Sequence, residues 1–469
     1  MQTADPRRWW ALLVLAAAQF MVIMDTSIIG VALPEMQKDL GFSQGELQWV
    51  FNAYVIAFGG LLLLGGRLSD LLGARKVFVS GWVVLIVGSV LAAAAQTATV
   101  EVVGRAVQGA GGALIAPAAM TLLMMLFGHD PKELGKAMAL YGAAAPAGGT
   151  AGVFLGGVFT EWLSWPWIFA IYVPIGLATL AATRLLPAVE GRRGSVDLLG
   201  AAAVTAGLAL AVFAVVRAPE TGWGSAGTVL QLAGAAALLA LFLVVQKVVR
   251  EPLMPLNVWR VPRLGSANLA TALLGAAWIP MWYFLNLYLQ QVMGYGAFES
   301  GAALLPMTGL LMVLMTAVTA RLLGRFGARN LIGGGLLVLA LGLLWLSRLG
   351  PTGSFVTDVL PASLVAALGM SLAYIPAMMA AMSGVPREQA GLASGIVNTT
   401  YQVGSALGLA ALTALATSRG AGELGNLPAL TDGFGAAFAG AAALAGAAGA
   451  VTLLVMRGDS VPEEEKVGV

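Results

Sequence analysis

Runs of about twenty consecutive apolar residues, repeated from one end of the chain to the other, leave this sequence few folds to choose from. In hydrocarbon every backbone N–H and C=O must find its partner within the protein, so such runs can only be spanning helices packed side by side. Hydropathy places them near 9–33, 47–66, 77–95, 99–127, 137–159, 164–186, 197–216, 226–248, 266–292, 300–323, 330–348, 357–382, 391–417 and 433–456, fourteen in all. The expectation is an all-α polytopic membrane protein with 14 transmembrane helices. Composition agrees: 59% of the 469 residues are hydrophobic and only 10% are charged, where a soluble domain carries about 25%. The first run is too long for a signal-peptide core and lacks a small-residue cleavage site, so it reads as a retained membrane helix.

An even span count puts both termini on one side, and loop charge says which. Taking alternate loops together collects twenty of the 25 Lys and Arg residues, among them Arg7, Arg67, Arg192, Arg260, Arg387 and Lys466. The opposite loops hold only Lys38, Arg217, Arg348 and Arg419, while Arg105 lies inside a span. The basic side is cytoplasmic, and with it both termini. A net charge of +2 leaves no nucleic-acid footprint. Without cysteine there is no disulfide, thiolate metal site or thiol nucleophile, and the single His129 sits in a polar loop. No metal site or cofactor is expected, nor, without paired acids or a nucleophile arrangement, an enzyme.

One charge breaks the apolar pattern most sharply. The stretch Trp9–Pro34 carries Asp25 well inside it. A carboxylate there costs roughly 2.5–3.5 kcal/mol on insertion scales, so it belongs in a bundle interior or a wet cavity and marks a transport role. The competing reading is an Asp that reaches headgroup water from near the helix end. In the fourth span Arg105, Gln108, Gly109 and Gly112 follow at i, i+3, i+4 and i+7, so guanidinium, amide and small residues share one face. Arg105 keeps its proton and needs a counterpart, either Asp25 or a backbone carbonyl. The competing reading is an Arg that snorkels outward, with Glu101 one turn before it.

The loop Gly66-Arg67-Leu68-Ser69-Asp70-Leu71-Leu72-Gly73-Ala74-Arg75-Lys76 resembles the first signature of the major facilitator superfamily, and Arg321–Arg329 resembles a second copy without the Asp. The family's second motif is similar to Arg105-Ala106-Val107-Gln108-Gly109. Met24–Pro34 resembles the first-helix signature of the fourteen-span drug:proton antiporters within the superfamily, with Gly30 in place of the usual Asn. The fifth span, with Pro146, Gly148, Gly149, Gly152, Gly156 and Gly157, resembles the antiporter motif that marks exporters, although Gly152-Val153 stands where Gly-Pro is expected. Its glycines also fit a plain close-packing helix. Trp165-Pro166-Trp167-Ile168-Phe169 and Val173-Pro174-Ile175-Gly176 resemble the end of the family's first six-helix bundle, with Tyr172 where Asn is usual. The segment Asn398–Gln402 resembles another family motif, with Tyr401 in place of the common Arg.

The resemblance implies two six-helix bundles plus two extra central helices: an N-terminal bundle over 1–190, the added pair with linkers over 191–260, a C-terminal bundle over 261–456, and a charged cytoplasmic tail over 457–469. It implies that Gly66, Asp70, Gly73, Arg75 and Lys76 form a conformational latch, and that Asp25 and Arg105 couple transport to protons. Burial disfavours the Asp25 anion and a nearby guanidinium favours it, opposing effects that leave the carboxyl able to exchange a proton. Met21, Met24, Gln48, Asn52, Gln108, Trp278, Trp282, Asn286, Tyr374, Met378, Asn398, Tyr401 and Gln402 are candidate substrate-cavity residues. Flexible Met and flat aromatic faces suit loose recognition of bulky apolar ligands, although such stripes more often form helix-packing core.

The expected function is proton-coupled efflux of amphipathic, cationic drugs or antibiotics across a bacterial cytoplasmic membrane. Energy comes from the proton gradient, the partners are substrate, protons and lipid, and the chain acts as a monomer. A dedicated exporter of one metabolite or lipid-like molecule is the alternative. A transporter-fold sensor or receptor would need a soluble signalling domain, and no polar stretch is long enough for one.

Overall fold

A computed structural model describes residues 8–128, 130–188, 191, 197–256, 264–382 and 390–456. His129, the loop cations Arg7, Arg192, Arg193, Arg260, Arg263 and Arg387, and the tail from Arg457 lie outside the described residues. The first bundle comprises α1 (Arg8–Ile28), the short α2 (Leu33–Leu40), α3 (Trp49–Leu72), α4 (Ala74–Ala93), α5 (Ala98–Phe127), α6 (Pro131–Trp162), α7 (Trp167–Ala170) and α8 (Tyr172–Ala182). Two helices follow, α9 (Leu198–Thr221) and α10 (Ala226–Val248). The second bundle comprises α11 (Leu264–Leu287), α12 (Ala297–Val313), α13 (Thr319–Leu346), α14 (Leu360–Met382), α15 (Ala390–Ala416) and α16 (Leu427–Val455). No strand occurs among the described residues.

Among the described residues thirteen spans are long and apolar enough to cross a membrane, against the fourteen expected. The difference is α15, a 27-residue helix that carries the polar run Asn398–Gln402 and is not among the thirteen. It nevertheless packs on α11, α3 and α9. Of the added pair, α9 lies against both α3 and α15. A Cβ on Gly60 of α3 would fall 2.6 Å from the Thr205 hydroxyl of α9, so the two helices are in close contact.

Small residues bring the helices of the first bundle to backbone contact. Gly148, Gly152 and Gly156, spaced i, i+4 and i+8 on α6, face the carbonyl oxygens of Phe20, Met24 and Ile28 on α1. A Cβ at these glycines would come within 2.3, 2.8 and 2.5 Å of those oxygens respectively. On α5, a Cβ at Gly109 would lie 2.3 Å from the Tyr54 carbonyl of α3, and one at Gly111 would lie 2.5 Å from the Leu85 nitrogen of α4. Thus α1 is fixed to α6, and α5 is clamped between α3 and α4. Two signature loops turn at equivalent glycines: Gly73, with φ 91°, separates α3 from α4, and Gly327, with φ 74°, breaks α13 internally. Positive φ is strained for any residue with a Cβ, which is why both copies keep Gly there.

Candidate functional site

Asp25 on α1 and Arg105 on α5 meet in the interior of the first bundle. Arg105 Nη1 donates to Asp25 Oδ2 at 2.7 Å, and the side chains of both residues are 1% exposed. Arg105 Nε donates to the Val50 carbonyl of α3 at 2.9 Å, so both counterparts foreseen from sequence are used at once. Arg105 Nη1 also donates to Gln108 Oε1 at 2.7 Å, and Gln108 Nε2 passes the chain on to Ser89 Oγ of α4 at 2.8 Å. The guanidinium lies 4.6 Å from the centre of the Tyr54 ring and 5.7 Å from that of Phe169. Four packed elements therefore orient one cation that cannot be neutralised by deprotonation.

Asp25 is held less completely. Its Oδ2 is engaged by Arg105, while Oδ1 is buried without a hydrogen-bond partner. The Tyr172 hydroxyl borders the carboxyl and donates to the Met21 carbonyl at 3.5 Å. Tyr172 thus places a hydroxyl beside the acid, at the position where the resembling family usually has Asn. A carboxyl with one oxygen engaged and one vacant can accept a proton on the vacant oxygen. Doing so removes the charge attraction to Arg105 without first breaking the hydrogen bond.

The other site residues foreseen from sequence divide into distinct groups. Gln108 is fully buried in the Arg105 network. Met21 and Met24 are buried on α1, and Gln48 accepts from Asn52 Nδ2 at 3.2 Å, both amides being buried. In the second bundle, Trp278 and Asn286 are buried, while Trp282, Tyr374, Met378, Asn398, Tyr401 and Gln402 are half-buried. Tyr374 of α14 and Tyr401 of α15 come together edge to face, with ring centres 5.4 Å apart. In the first signature loop, Asp70 and Lys76 are exposed and Arg75 is half-buried. The neighbouring Arg67 is tied by Nη2 to Glu251 at 2.5 Å, joining this loop to the segment after α10.

Sequence reading did not single out the contacts that join the bundles at their extracellular ends. Gln291 Nε2 donates to Gln37 Oε1 at 3.2 Å, and Gln44 Nε2 donates to Gln291 Oε1 at 3.3 Å. Gln290 Nε2 donates to the Val31 carbonyl at 2.9 Å. Glu161, at the end of α6, accepts from the Ala297 N–H at the start of α12 at 3.0 Å. Trp162 and Phe298 stack beside this contact with centres 5.1 Å apart. Asn286 fills the space over Gly30, where a Cβ would fall 2.7 Å from its Nδ2, so the missing side chain at position 30 admits the other bundle. The partners are more than 100 residues apart in sequence, and no local signal pairs them. Glu101 also went unclaimed: it is fully buried one turn before Arg105.

Two helical bundles spanning the membrane and joined at one end, the first of them enclosing a buried ion pair, define a multi-pass membrane transporter. The chain matches the Major Facilitator Superfamily over residues 15–409 and belongs to that family. It is 39% identical to the cephamycin export protein CmcT of Amycolatopsis lactamdurans, over 92% of this chain and 89% of that one. It is 38% identical to the puromycin resistance protein pur8 of Streptomyces alboniger, over 92% and 86% of the two chains. The tetracenomycin C resistance and export protein of Streptomyces glaucescens is 31% identical over 88% of this chain and 77% of its own. Among solved structures, an inward-facing bacterial homologue of the lysosomal transporter Spinster shares the fold, with a TM-score of 0.69 at 15% identity over 96% of this chain and 97% of that one.

Proposed function

We propose that the chain exports amphipathic, antibiotic-like molecules across the bacterial cytoplasmic membrane in exchange for protons. Relatives named for antibiotic export or resistance, similar along nearly the whole chain, support the export half. The observation that carries the proton half is the buried Asp25–Arg105 pair with its vacant Oδ1. A proton reaching Oδ1 cancels the attraction between α1 and α5. Because α1 is in backbone contact with α6, the two shift together relative to α5. Val31, three residues past the end of α1, and Glu161 on α6 both contact the second bundle, so the shift reaches the extracellular closure. Proton loss toward the cytoplasm restores the ion pair and that closure. Substrate is recognised on the aromatic and amide faces of α11, α14 and α15, where no buried charge competes.

A dedicated exporter is the second reading, favoured because each relative's name gives one compound: cephamycin, puromycin, tetracenomycin C. Efflux assays in energised cells decide both points. An Asp25→Asn chain should fail to lower cellular dye or antibiotic content, and undiminished, pH-dependent efflux by it would refute proton coupling through this pair. Efflux of several unrelated compounds by the unaltered chain supports the broad reading, and efflux of one supports the dedicated exporter.

A further inference from the structure

Glu101 is used by nothing described so far. It lies in the first turn of α5, just after the N-cap residue Thr97. An acid at that place ordinarily faces water and complements the helix dipole. Here the residue is 0% exposed, and neither Oε1 nor Oε2 has a hydrogen-bond partner. A buried carboxylate with no donor is the most costly form this side chain can take, and the neutral acid is the form such a pocket accommodates. Arg105 is one turn further along the same helix, yet its Nε and Nη1 are committed to Val50, Asp25 and Gln108. The charges of Arg105 and Asp25 both act on Glu101, although only Asp25 forms an ion pair with the guanidinium.

One buried cation therefore faces two buried acids. Charge is balanced only when one of the two is neutral. The remaining groups around this centre do not alter the count. Tyr54 comes from α3 and Tyr172 from α8, neither charged. The facing stretch of α4, residues 85–93, contributes only the Ser89 hydroxyl. The extracellular end of α6 brings Glu161, which accepts from the Ala297 N–H. Loop charge puts the start of α5 on the extracellular side, so Glu101 stands between that surface and Arg105.

We propose, resting on the proton-coupled reading above, that Glu101 is a second proton-carrying acid that shares Arg105 with Asp25 as a common counter-ion. In the conformation described, Glu101 holds the proton and Asp25 holds the guanidinium. Transfer moves one proton from the Glu101 carboxyl to the vacant Oδ1 of Asp25. It leaves Asp25 neutral and Glu101 ionised beside Arg105, with no change in total charge. A proton from outside then refills Glu101. Asp25 is thereby reached in steps that never leave two uncompensated buried charges.

Infrared spectroscopy of the purified full-length chain, with and without ¹³C-glutamate labelling, tests this without needing a substrate. The result expected is a buried, protonated carboxyl band that shifts on glutamate labelling and is lost in Glu101→Gln. It should also vanish on alkaline titration. In Asp25→Asn the freed guanidinium pairs with Glu101, and the band should be lost already at neutral pH. Labelling assigns the band in the unaltered chain, so a Glu101→Gln protein that fails to fold does not weaken the test. A glutamate carboxyl band that is absent at every pH, or that persists through alkaline pH, would overturn the proposal. A band that titrates but is unmoved by Asp25→Asn would overturn the shared counter-ion. Undiminished efflux by Asp25→Asn would instead strike the proton-coupled reading, a separable result.

Discussion

The two bundles share an architecture and differ in where they bury charge. In the first, Asp25, Glu101 and Arg105 are all buried, and the Asp25–Arg105 pair belongs to a polar network that continues to Gln108 and Ser89. In the second, the buried polar residues are Asn, Ser and Thr, and among the described residues none is charged. The signature loops repeat the contrast on the surface. Gly73 and Gly327 both turn the chain at positive φ, but the exposed Asp70 of the first copy is matched in register by Gly324 in the second. Repeated backbone geometry persists where packing demands it, while charge is retained on one side only. This contrast supports the division of labour we propose, with energy coupling in the first bundle and recognition on the uncharged faces of the second.

Removing the cation should do the most damage. Arg105→Ala leaves Asp25 buried without its counter-ion, and losing one partner of a buried pair costs about 3–5 kcal/mol. A clear fall in thermal unfolding temperature in detergent, with transport lost, is the expected result. An unfolding temperature equal to that of the unaltered chain would break the claim that the pair organises this bundle.

Next in size is the α1–α6 contact. Gly152→Val forces side-chain atoms against the Met24 carbonyl, and overpacking of this kind costs about 1–3 kcal/mol. Gly149→Ala, whose Cβ would meet Ser27 Oγ only at 3.7 Å, should unfold at the temperature of the parent. Equal stability in the two variants would remove the rigid α1–α6 unit from the mechanism.

Matched changes in the two loops sharpen the comparison further. Gly73→Ala and Gly327→Ala each force a Cβ onto a positive-φ backbone, a cost of about 1–2 kcal/mol read from unfolding midpoints. Equal losses are expected, because the turn is common to both copies. Asp70→Asn, at an exposed residue, should leave stability within about 0.5 kcal/mol while slowing transport.

The smallest change in stability belongs to the second bundle. Tyr401→Phe removes a hydroxyl and keeps the ring contact with Tyr374. It should alter the order of preference among exported compounds by severalfold in efflux assays and leave the pH dependence of transport intact. A lost pH dependence in Tyr401→Phe would contradict the division of labour.

Much of this arrangement was readable in the sequence. A carboxylate inside an apolar run and an Arg inside another must find each other or a carbonyl, because neither is tolerated alone in hydrocarbon. Glu101 was not readable in the same way, since an acid in the first turn of a helix looks like an interfacial residue until packing shows that it is enclosed. The register of Gly148, Gly152 and Gly156 against Phe20, Met24 and Ile28 was also hidden, as helical spacing reveals a face and not its partner. The glutamine contacts at Gln37, Gln44 and Gln291 depend on how two bundles approach. No local pattern encodes that.

The most direct test of the central claim compares two modes of transport by Asp25→Asn in proteoliposomes. One is exchange of labelled for unlabelled substrate with no proton gradient, and the other is accumulation driven by an imposed proton gradient. If coupling resides in the first bundle and recognition in the second, exchange continues while proton-driven accumulation is abolished. Accumulation that persists at the level of the unaltered chain would place the coupling elsewhere and contradict the account.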